Sequence, residues 1–354
     1  MVCLSRLSVS VGLAAVCVSG LTVRAGQQPA ATTELSPAVR ALEQAPDVKP
    51  TYPKGPYSVE ELRQLVASIS NWGRWGADDE LGALNLITPE KRRQAAKAVR
   101  HGIALSLAKR DRGIIQHQFA RPKGPPQLFA GGYQLPGHND GQTHIDALCH
   151  VWFDGKAYNG FTPEQVIGEK GCMHLGLSGY MHGGIVTRAV LIDMPRLKGV
   201  PYLEPMTPVM TEDLLAWEKK VGVRIGPGDA ILVRMGRWVR DEKFPEHPVT
   251  MTQLTKVGQA GLHPSLGPFL KERGVAFIGQ DGGAGVFPSS VPGYIAPFSI
   301  VATNALGIPL VVAMDLDEAV ETAARLKQWE LQLVVGPLQL PAGTGSAVHP
   351  VGVF

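Results

Sequence analysis

Apolar residues recur at helical spacing in the first third of the chain. One such stretch carries Leu62, Leu65, Val66 and Ile69. Ser58 and Glu61 precede it at the spacing of a capping box, in which both side chains bind exposed N–H groups at a helix start. Thr88-Pro89-Glu90 predicts a second helix start, because proline in the first turn lacks only an N–H that would have no helical partner. Two capped helices are therefore expected here.

Runs of β-branched and aliphatic residues bounded by Gly, Pro or Asp predict strands in the second half of the chain. These runs are Val186–Ile192, Ala230–Val233, Val275–Ile278 and Leu331–Val335. Helical patterns lie between them at Glu212–Lys220, Pro264–Arg273 and Leu316–Leu326. Asp315 and Glu318 have the spacing of another capping box. Because strands and helices are mixed without a repeat or a linker, the pattern predicts one α/β or α+β domain.

The first 25 residues have the three parts of a secretory signal. Arg6 supplies positive charge, Leu7–Val23 is apolar and uncharged, and Val23-Arg24-Ala25 offers small side chains where a signal peptidase reads. A membrane anchor is the other interpretation, but the run is shorter than the ~20 residues of a bilayer span. We expect cleavage after Ala25, a periplasmic or secreted protein, and no membrane span afterwards. We expect residues 26–56 to form a flexible leader and residues 57–354 to form one domain.

Composition excludes several classes of protein. The chain has 354 residues, of which 44% are hydrophobic and 18% charged, unlike a disordered chain. A net charge of +3 gives no electrostatic case for a nucleic-acid partner. The absence of a G-x-S-x-G elbow argues against an α/β serine hydrolase. Outside the predicted signal, Cys149 and Cys172 could pair in an oxidising compartment, and the sequence leaves their pairing open.

Residues that bind metals or transfer protons concentrate between His138 and His150. Asp140, His144 and Asp146 share parity, so an extended backbone would direct all three side chains to one face. One imidazole and two carboxylates converging there suit Zn²⁺ or Mn²⁺. His150 would approach the same site as an acid/base after a turn. Solvated loop residues are the other interpretation, and the close spacing beside apolar neighbours favours the site.

The same segment resembles the signature H-x-G-T-H-x-D-x-P-x-H of the cyclase superfamily of metal-dependent hydrolases. This superfamily includes bacterial kynurenine formamidase (arylformamidase) and isatin hydrolase. Asp140 to His150 reads D-G-Q-T-H-I-D-A-L-C-H in that register. Similar segments elsewhere are Trp75-Gly76, Asn85–Pro89, Trp152–Gly155, Tyr158–Gly160, Pro227–Asp229 and Gly336–Ser346. The resemblance covers roughly residues 71–354.

The resemblance implies a fold and a set of site residues. The fold would be a single α/β domain of the swivelling β/β/α type, with a mixed barrel-like sheet and outer helices, in a homo-oligomer. His144 and Asp146 would be metal ligands, and His150 would be the general acid/base. Asp140 stands where the family has its first histidine, and His138, on the same parity, is a substitute ligand.

Other family positions carry different residues here. The second-metal histidine and the bridging glutamate of the family fall on Ser299 and Val312, which predicts one divalent ion per chain, Zn or Mn, instead of two. Trp72 and Trp75 are candidates for an aromatic wall of the substrate pocket, with core packing as the other interpretation. Asp281, after a predicted strand, is either a polar contributor to the site or a turn residue.

The implied activity is hydrolysis of an amide, formamide or lactam C–N bond in a small molecule, with a metal-bound water and a histidine acid/base. N-formylkynurenine is the best-known family substrate, but an exported protein fits poorly with cytoplasmic tryptophan catabolism. A small aromatic or cyclic amide, or a lactone, is an equal expectation. Two alternatives stay open: a catalytically silent binding protein, and a lyase or cyclase acting on a polyketide-like molecule.

Overall fold

The computed structural model describes residues 44–110, 115–119, 131–135, 138, 141–180, 183–245 and 254–354. The predicted signal segment, the predicted cleavage site after Ala25, most of the predicted leader and the candidate ligand Asp140 lie outside the described residues. In the described ranges, no helix has the length and apolar character needed to cross a membrane.

The strands, in chain order, supply the framework of the domain. They are β1 (Ala104–Ser106), β2 (Gln116–Phe119), β3 (Gly131–Gln134), β4 (His144–Asp146), β5 (Ile167–Gly168), β6 (Gly171–Cys172), β7 (Ile185–Asp193), β8 (Pro208–Val209), β9 (Ala230–Arg234), β10 (Gly261–Leu262), β11 (Phe277–Gln280), β12 (Leu310–Val312), β13 (Glu330–Val335), β14 (Gly345–Ala347) and β15 (Val351–Val353).

Nine of these strands form one mixed sheet in the order β1-β15-β13-β7-β9-β11-β12-β4-β14, and it curls into a half-barrel. Strands β7, β9, β11 and β12 are parallel neighbours, and the other pairs in this sheet are antiparallel. The four predicted strand runs became β7, β9, β11 and β13. Ala230–Val233 and Phe277–Ile278 are wholly buried, as expected for parallel strands covered on both faces.

Helices pack around this sheet and confirm the α/β class. They are α1 (Val59–Ile69), α2 (Pro89–Lys97), α3 (Pro163–Val166), α4 (Met194–Lys198), α5 (Thr211–Val221), α6 (Arg237–Lys243), α7 (Leu254–Val257), α8 (Gly267–Arg273), α9 (Pro297–Ser299) and α10 (Asp317–Leu326). Short 3₁₀ helices span Gly82–Leu86, Leu148–His150, Tyr158–Gly160, Leu177–Tyr180 and Pro264–Leu266, and a π-helix spans Ile300–Ala305.

The predicted helix starts are borne out to different degrees. Ser58 Oγ accepts the N–H of Glu61 at 3.1 Å, but the Glu61 carboxylate accepts the N–H of Tyr57 instead of that of Ser58. The capping box predicted for α10 is wrong. Asp315 accepts the N–H of Asp317 at 3.4 Å, and its other carboxylate oxygen binds Lys109 Nζ at 2.9 Å. That ion pair ties the helix start to the chain after β1.

The described end of the predicted leader packs on the domain. Tyr52 is buried, and its O–H donates to the carbonyl of Pro288 at 2.7 Å. Ser290 Oγ donates to the carbonyl of Pro56 at 2.7 Å. The boundary placed at residue 57 therefore falls inside a packed segment.

Candidate metal centre

Strand β4 places two of the predicted ligands on one face of the sheet. It lies between β12 and β14, with His144 opposite Val312 and Asp146 opposite Leu310. Side chains two residues apart in a strand point the same way, so His144 and Asp146 share a face, as their parity predicted. Both are buried. Pairing on both sides of β4 therefore fixes these two side chains relative to the sheet.

His138 joins His144 and Asp146 in a cluster of three metal-binding side chains. Each offers one ligand atom, and these atoms lie within 4.8 Å of one another. His138 Nδ1 lies 3.1 Å from Asp146 Oδ1, and His144 Nε2 lies 3.6 Å from the same oxygen. The substitute ligand inferred from parity thus reaches the cluster, whereas Asp140 lies outside the described residues. Within the described ranges, no other group of three such side chains comes together.

Hydrogen bonds to neighbouring groups orient the two imidazole rings. His144 Nδ1 donates to the carbonyl of Gln142 at 2.8 Å, because a carbonyl oxygen can only accept. This bond leaves Nε2 of His144 with a free lone pair directed at Asp146, the arrangement that metal-binding histidines usually adopt. His138 Nε2 lies 2.9 Å from Thr344 Oγ1. Thr344 had no signal of its own in the sequence beyond membership of the closing Gly336–Ser346 segment.

The electrostatic surroundings keep Asp146 ionised. Burial alone would raise the pKa of this carboxyl, but the hydrogen bond with His138 and the electrostatic effect of the nearby imidazoles outweigh burial and lower the pKa below its usual value. An ionised, buried carboxylate beside two imidazoles is a strong donor set for a divalent cation.

His150 reaches the cluster through the 3₁₀ turn Leu148–His150 that follows β4. Its ring stacks on that of His138, with centroids 4.3 Å apart and planes 15° from parallel. The side chain reaches solvent. Desolvation by the surrounding protein lowers the pKa of His150, and the Asp146 carboxylate opposes this effect without cancelling it. A neutral, accessible imidazole beside the ligands is suited to accept a proton.

Cys149 and Cys172, whose pairing the sequence left open, form a disulfide. Cys149 immediately precedes His150, and Cys172 ends strand β6. Both residues are buried.

Val312 and Ser299 occupy the positions at which the family resemblance implies ligands to a second metal. Val312 lies directly beside His144 in the sheet and offers an apolar side chain. Ser299 Oγ donates to the carbonyl of Ala284 at 3.3 Å. The expectation of a single ion stays a prediction.

Asp281 has a role outside the cluster. Its carboxylate accepts the backbone N–H groups of Met235, Gly236 and Arg237 at 2.8, 2.7 and 3.1 Å, at the start of α6. The residue is fully buried, and burial raises its pKa to about 6. The sequence interpretations, a turn residue or a polar contributor to the site, did not include this contact with a buried helix start.

The two candidate pocket tryptophans pack against the core. Trp72 Nε1 donates to the carbonyl of Asn304 at 2.7 Å. Trp75 lies under the guanidinium of Arg74, 4.7 Å from its ring centroid. Both rings are partly buried against the main hydrophobic cluster. No contact described for either ring reaches the histidine cluster, and a role in a substrate pocket stays a prediction.

The chain is similar to several known proteins in sequence pattern or in fold. A family model described as "Putative cyclase" matches residues 71–284. The crystal structure of a novel cyclase, 24% identical, aligns over 82% of this chain and 99% of its own with a TM-score of 0.73, which shows a common fold. Isatin hydrolase A from Ralstonia solanacearum is 17% identical, over 74% of this chain and 94% of its own, with a TM-score of 0.47. A predicted metal-dependent hydrolase from Bacillus stearothermophilus is 11% identical, over 72% and 98%, with a TM-score of 0.44. No curated protein matches the chain.

Proposed function

The chain belongs to the cyclase family, and from that premise we propose that it is a metal-dependent hydrolase cleaving an amide, formamide or lactam C–N bond. The proposal rests on the proximity of a possible metal-binding cluster and a possible acid/base. A compact His138, His144 and Asp146 cluster lies directly against the accessible imidazole of His150.

The donor set fits a divalent metal ion. Two imidazoles and one carboxylate suit Zn²⁺ or Mn²⁺ and leave further coordination positions for water and substrate. A bound ion would lower the pKa of a coordinated water and polarise a substrate carbonyl. One ion per chain is proposed, because Ser299 and Val312 supply no second set of ligands.

The protein's own residues would handle the protons of the reaction. His150, neutral at physiological pH because its pKa is lowered, would accept a proton from the attacking water and pass it to the leaving nitrogen. The carbonyl carbon gains an oxygen as its bond to nitrogen breaks. Asp146 would stay ionised throughout, and Thr344 would hold the ring of His138 in place through its hydroxyl.

A second candidate function, a silent binding protein that retains the fold, is favoured by the apolar side chain of Val312 beside His144. Such a protein would bind a metal or a small ligand without turnover. The two candidates differ in one measurable property, the appearance of a hydrolysed product.

Metal analysis followed by a substrate screen tests the proposal. Metal content per chain would be measured by mass spectrometry for wild type, Asp146→Ala and the control Asp154→Ala, whose carboxylate pairs with Arg63 at the surface. About one Zn or Mn per chain, lost only in Asp146→Ala, is expected. Formamides, lactams and lactones would then be screened in ¹⁸O-labelled water.

Each other outcome rejects a stated part of the proposal. Two ions per chain would reject the single-ion site. Absence of metal after reconstitution, or metal without turnover of any substrate class, would favour the binding protein. A product that retains every substrate atom and takes up no ¹⁸O would identify a lyase or cyclase.

A further inference from the structure

The Cys149–Cys172 disulfide joins two separate parts of the candidate site. Cys149 lies in the 3₁₀ turn that ends with His150, and Cys172 lies in the hairpin formed by β5 and β6. Backbone contacts add to this link, because the N–H of Cys149 donates to the carbonyl of Leu175 at 3.0 Å. The turn that carries the proposed acid/base is therefore attached to the hairpin beside the sheet.

The hairpin is in turn attached to the loop that precedes β14. The N–H of Cys172 donates to the carbonyl of Ala342 at 2.9 Å, and that of Leu177 donates to the carbonyl of Gly343 at 3.2 Å. A Cβ added to Gly171 would collide with the carbonyl oxygen of Ala342, so the two backbones approach closely. The hairpin and this loop thus form one packed unit.

The same loop contacts the metal-binding cluster. Thr344 bonds to His138 through its hydroxyl, and its carbonyl accepts the N–H of Ala147 at 2.9 Å. A continuous series of contacts therefore links His138 to His150 through Thr344, the hairpin and the disulfide. The disulfide is the covalent link in this series.

The metal ligands and His150 depend on this link to different extents. His144 and Asp146 belong to β4, which is hydrogen-bonded to a strand on either side. His150 lies beyond the end of that strand. Besides the disulfide, its turn is held by two local hydrogen bonds and one longer-range bond. The N–H of His150 donates to the carbonyl of Ala147, Trp152 Nε1 donates to the carbonyl of Cys149, and the N–H of Cys149 donates to the carbonyl of Leu175. Loss of the disulfide should therefore loosen His150 more than His144 and Asp146, the two ligands in β4.

We propose that the Cys149–Cys172 disulfide positions His150, so that turnover requires the oxidised protein while metal binding does not. This inference rests on the proposed function. Reduction by a dithiol would break the S–S bond with two electrons and two protons, giving two cysteine thiols and oxidising the dithiol to its own disulfide. A misplacement of about 1 Å in such a group costs on the order of 100-fold in rate.

The test compares three forms of the full mature protein: wild type, wild type reduced by dithiothreitol, and Cys149→Ser/Cys172→Ser. We expect kcat to fall about 10- to 100-fold in the last two, with KM and metal content nearly unchanged and with activity restored by reoxidation of the reduced wild type. Dithiothreitol added to the double variant controls for removal of metal by the reagent. Thiol titration verifies that reduction is complete.

A matched variant separates positioning from general stability. Leu214 is fully buried in α5, which packs against β7 and α4, so Leu214→Ala should destabilise the fold as much as loss of a disulfide does. If Leu214→Ala lowers kcat as far as the double variant does at equal distance below its melting temperature, the positioning role is rejected.

Hydrogen exchange gives a readout that does not need a substrate. The amides of Cys149 and His150 should exchange faster in the reduced and double-variant forms, while those of β4 stay protected. Equal exchange in all three forms overturns the inference. If exchange changes as expected but no form hydrolyses any substrate, the positioning role is upheld and the proposed hydrolase function is the part that fails.

Discussion

We propose two separate roles at the site: the cluster of His138, His144 and Asp146 would bind an ion, and His150 would transfer a proton. His144 and Asp146 are buried, and Nδ1 of His144 is bound to a carbonyl, so both are fixed. The side chain of His150 reaches solvent, and its ring stacks on that of His138. Stacking places the ring beside the ligands without making it part of the closest donor set. The two roles should therefore separate on mutation.

We predict that His150→Ala retains metal and loses most of its turnover. General acid/base groups contribute roughly 10²- to 10⁴-fold to rate, so kcat should fall within that range. Metal content and kcat would be measured on the same preparation. His101→Ala is the control, because His101 is exposed and lies next to β1, at the opposite edge of the sheet from β4 and β14. Turnover at the wild-type rate in His150→Ala would remove the acid/base role.

A second residue-scale prediction concerns pH and the buried His263. Its Nδ1 accepts from the N–H and the hydroxyl of Ser265 at 3.2 and 2.9 Å, and protonation there would break both bonds. Burial, with a smaller effect from the charge of Lys54, lowers its pKa from 6.5 to about 4. Between these values the unfolded chain binds a proton that the folded protein does not, so stability falls as pH falls. The loss should reach about 3 kcal/mol at full extent.

Urea unfolding of wild type and His263→Asn at pH values from about 7 to 4 would measure this effect. Asparagine keeps an acceptor for the N–H of Ser265, so the variant should lose less stability than wild type as the pH falls. Subtraction of the two curves removes the contribution of the other histidines. Parallel curves would show that His263 does not titrate between the folded and unfolded states as described.

At the scale of elements, local sequence patterns predicted structure where the deciding contacts are local. Ser58 caps α1 because its hydroxyl needs only the N–H of Glu61, three residues away. The box expected at α10 failed because Asp315 has a distant partner, Lys109, which draws one of its oxygens away. The contact made by Asp281 also could not be predicted from local sequence. This residue caps α6, which begins more than forty residues earlier in the chain, and no local pattern indicates this contact.

We predict that Asp281→Ala destabilises the protein more than Ser58→Ala does. The first variant leaves the N–H groups of Met235, Gly236 and Arg237 buried without their acceptor, at about 1–3 kcal/mol for an unsatisfied group. The second removes one cap at a solvent-accessible helix start and should cost about 1 kcal/mol. Chemical denaturation at pH 7 compares the two. Equal losses would mean that water or neighbouring groups replace the Asp281 carboxylate.

At the scale of the whole molecule, the sequence predicted strands but not their order. The runs that became β7, β9, β11 and β13 carry enough β-branched residues to be recognised. Strands β4 and β14 have three residues each, and they pair across about two hundred residues of sequence. The half-barrel was therefore expected only from family resemblance. The candidate site was likewise only partly predictable from the sequence. Parity identified His144 and Asp146, whereas the contact of Thr344 with His138 could be recognised only in the folded chain.

The disulfide beside the site bears on the proposed location of the protein. Disulfides persist in oxidising compartments, so the Cys149–Cys172 bond supports the proposal that residues 1–25 direct export. We predict that protein recovered outside the cytoplasm begins at Gly26 and has no free thiol, because both remaining cysteines are paired. N-terminal sequencing and thiol titration would check this, with Ala25→Arg as a control that should block cleavage. Cytoplasmic protein starting at Met1 with reduced cysteines would contradict export. By the positioning argument, it would also bind metal while turning substrate over slowly.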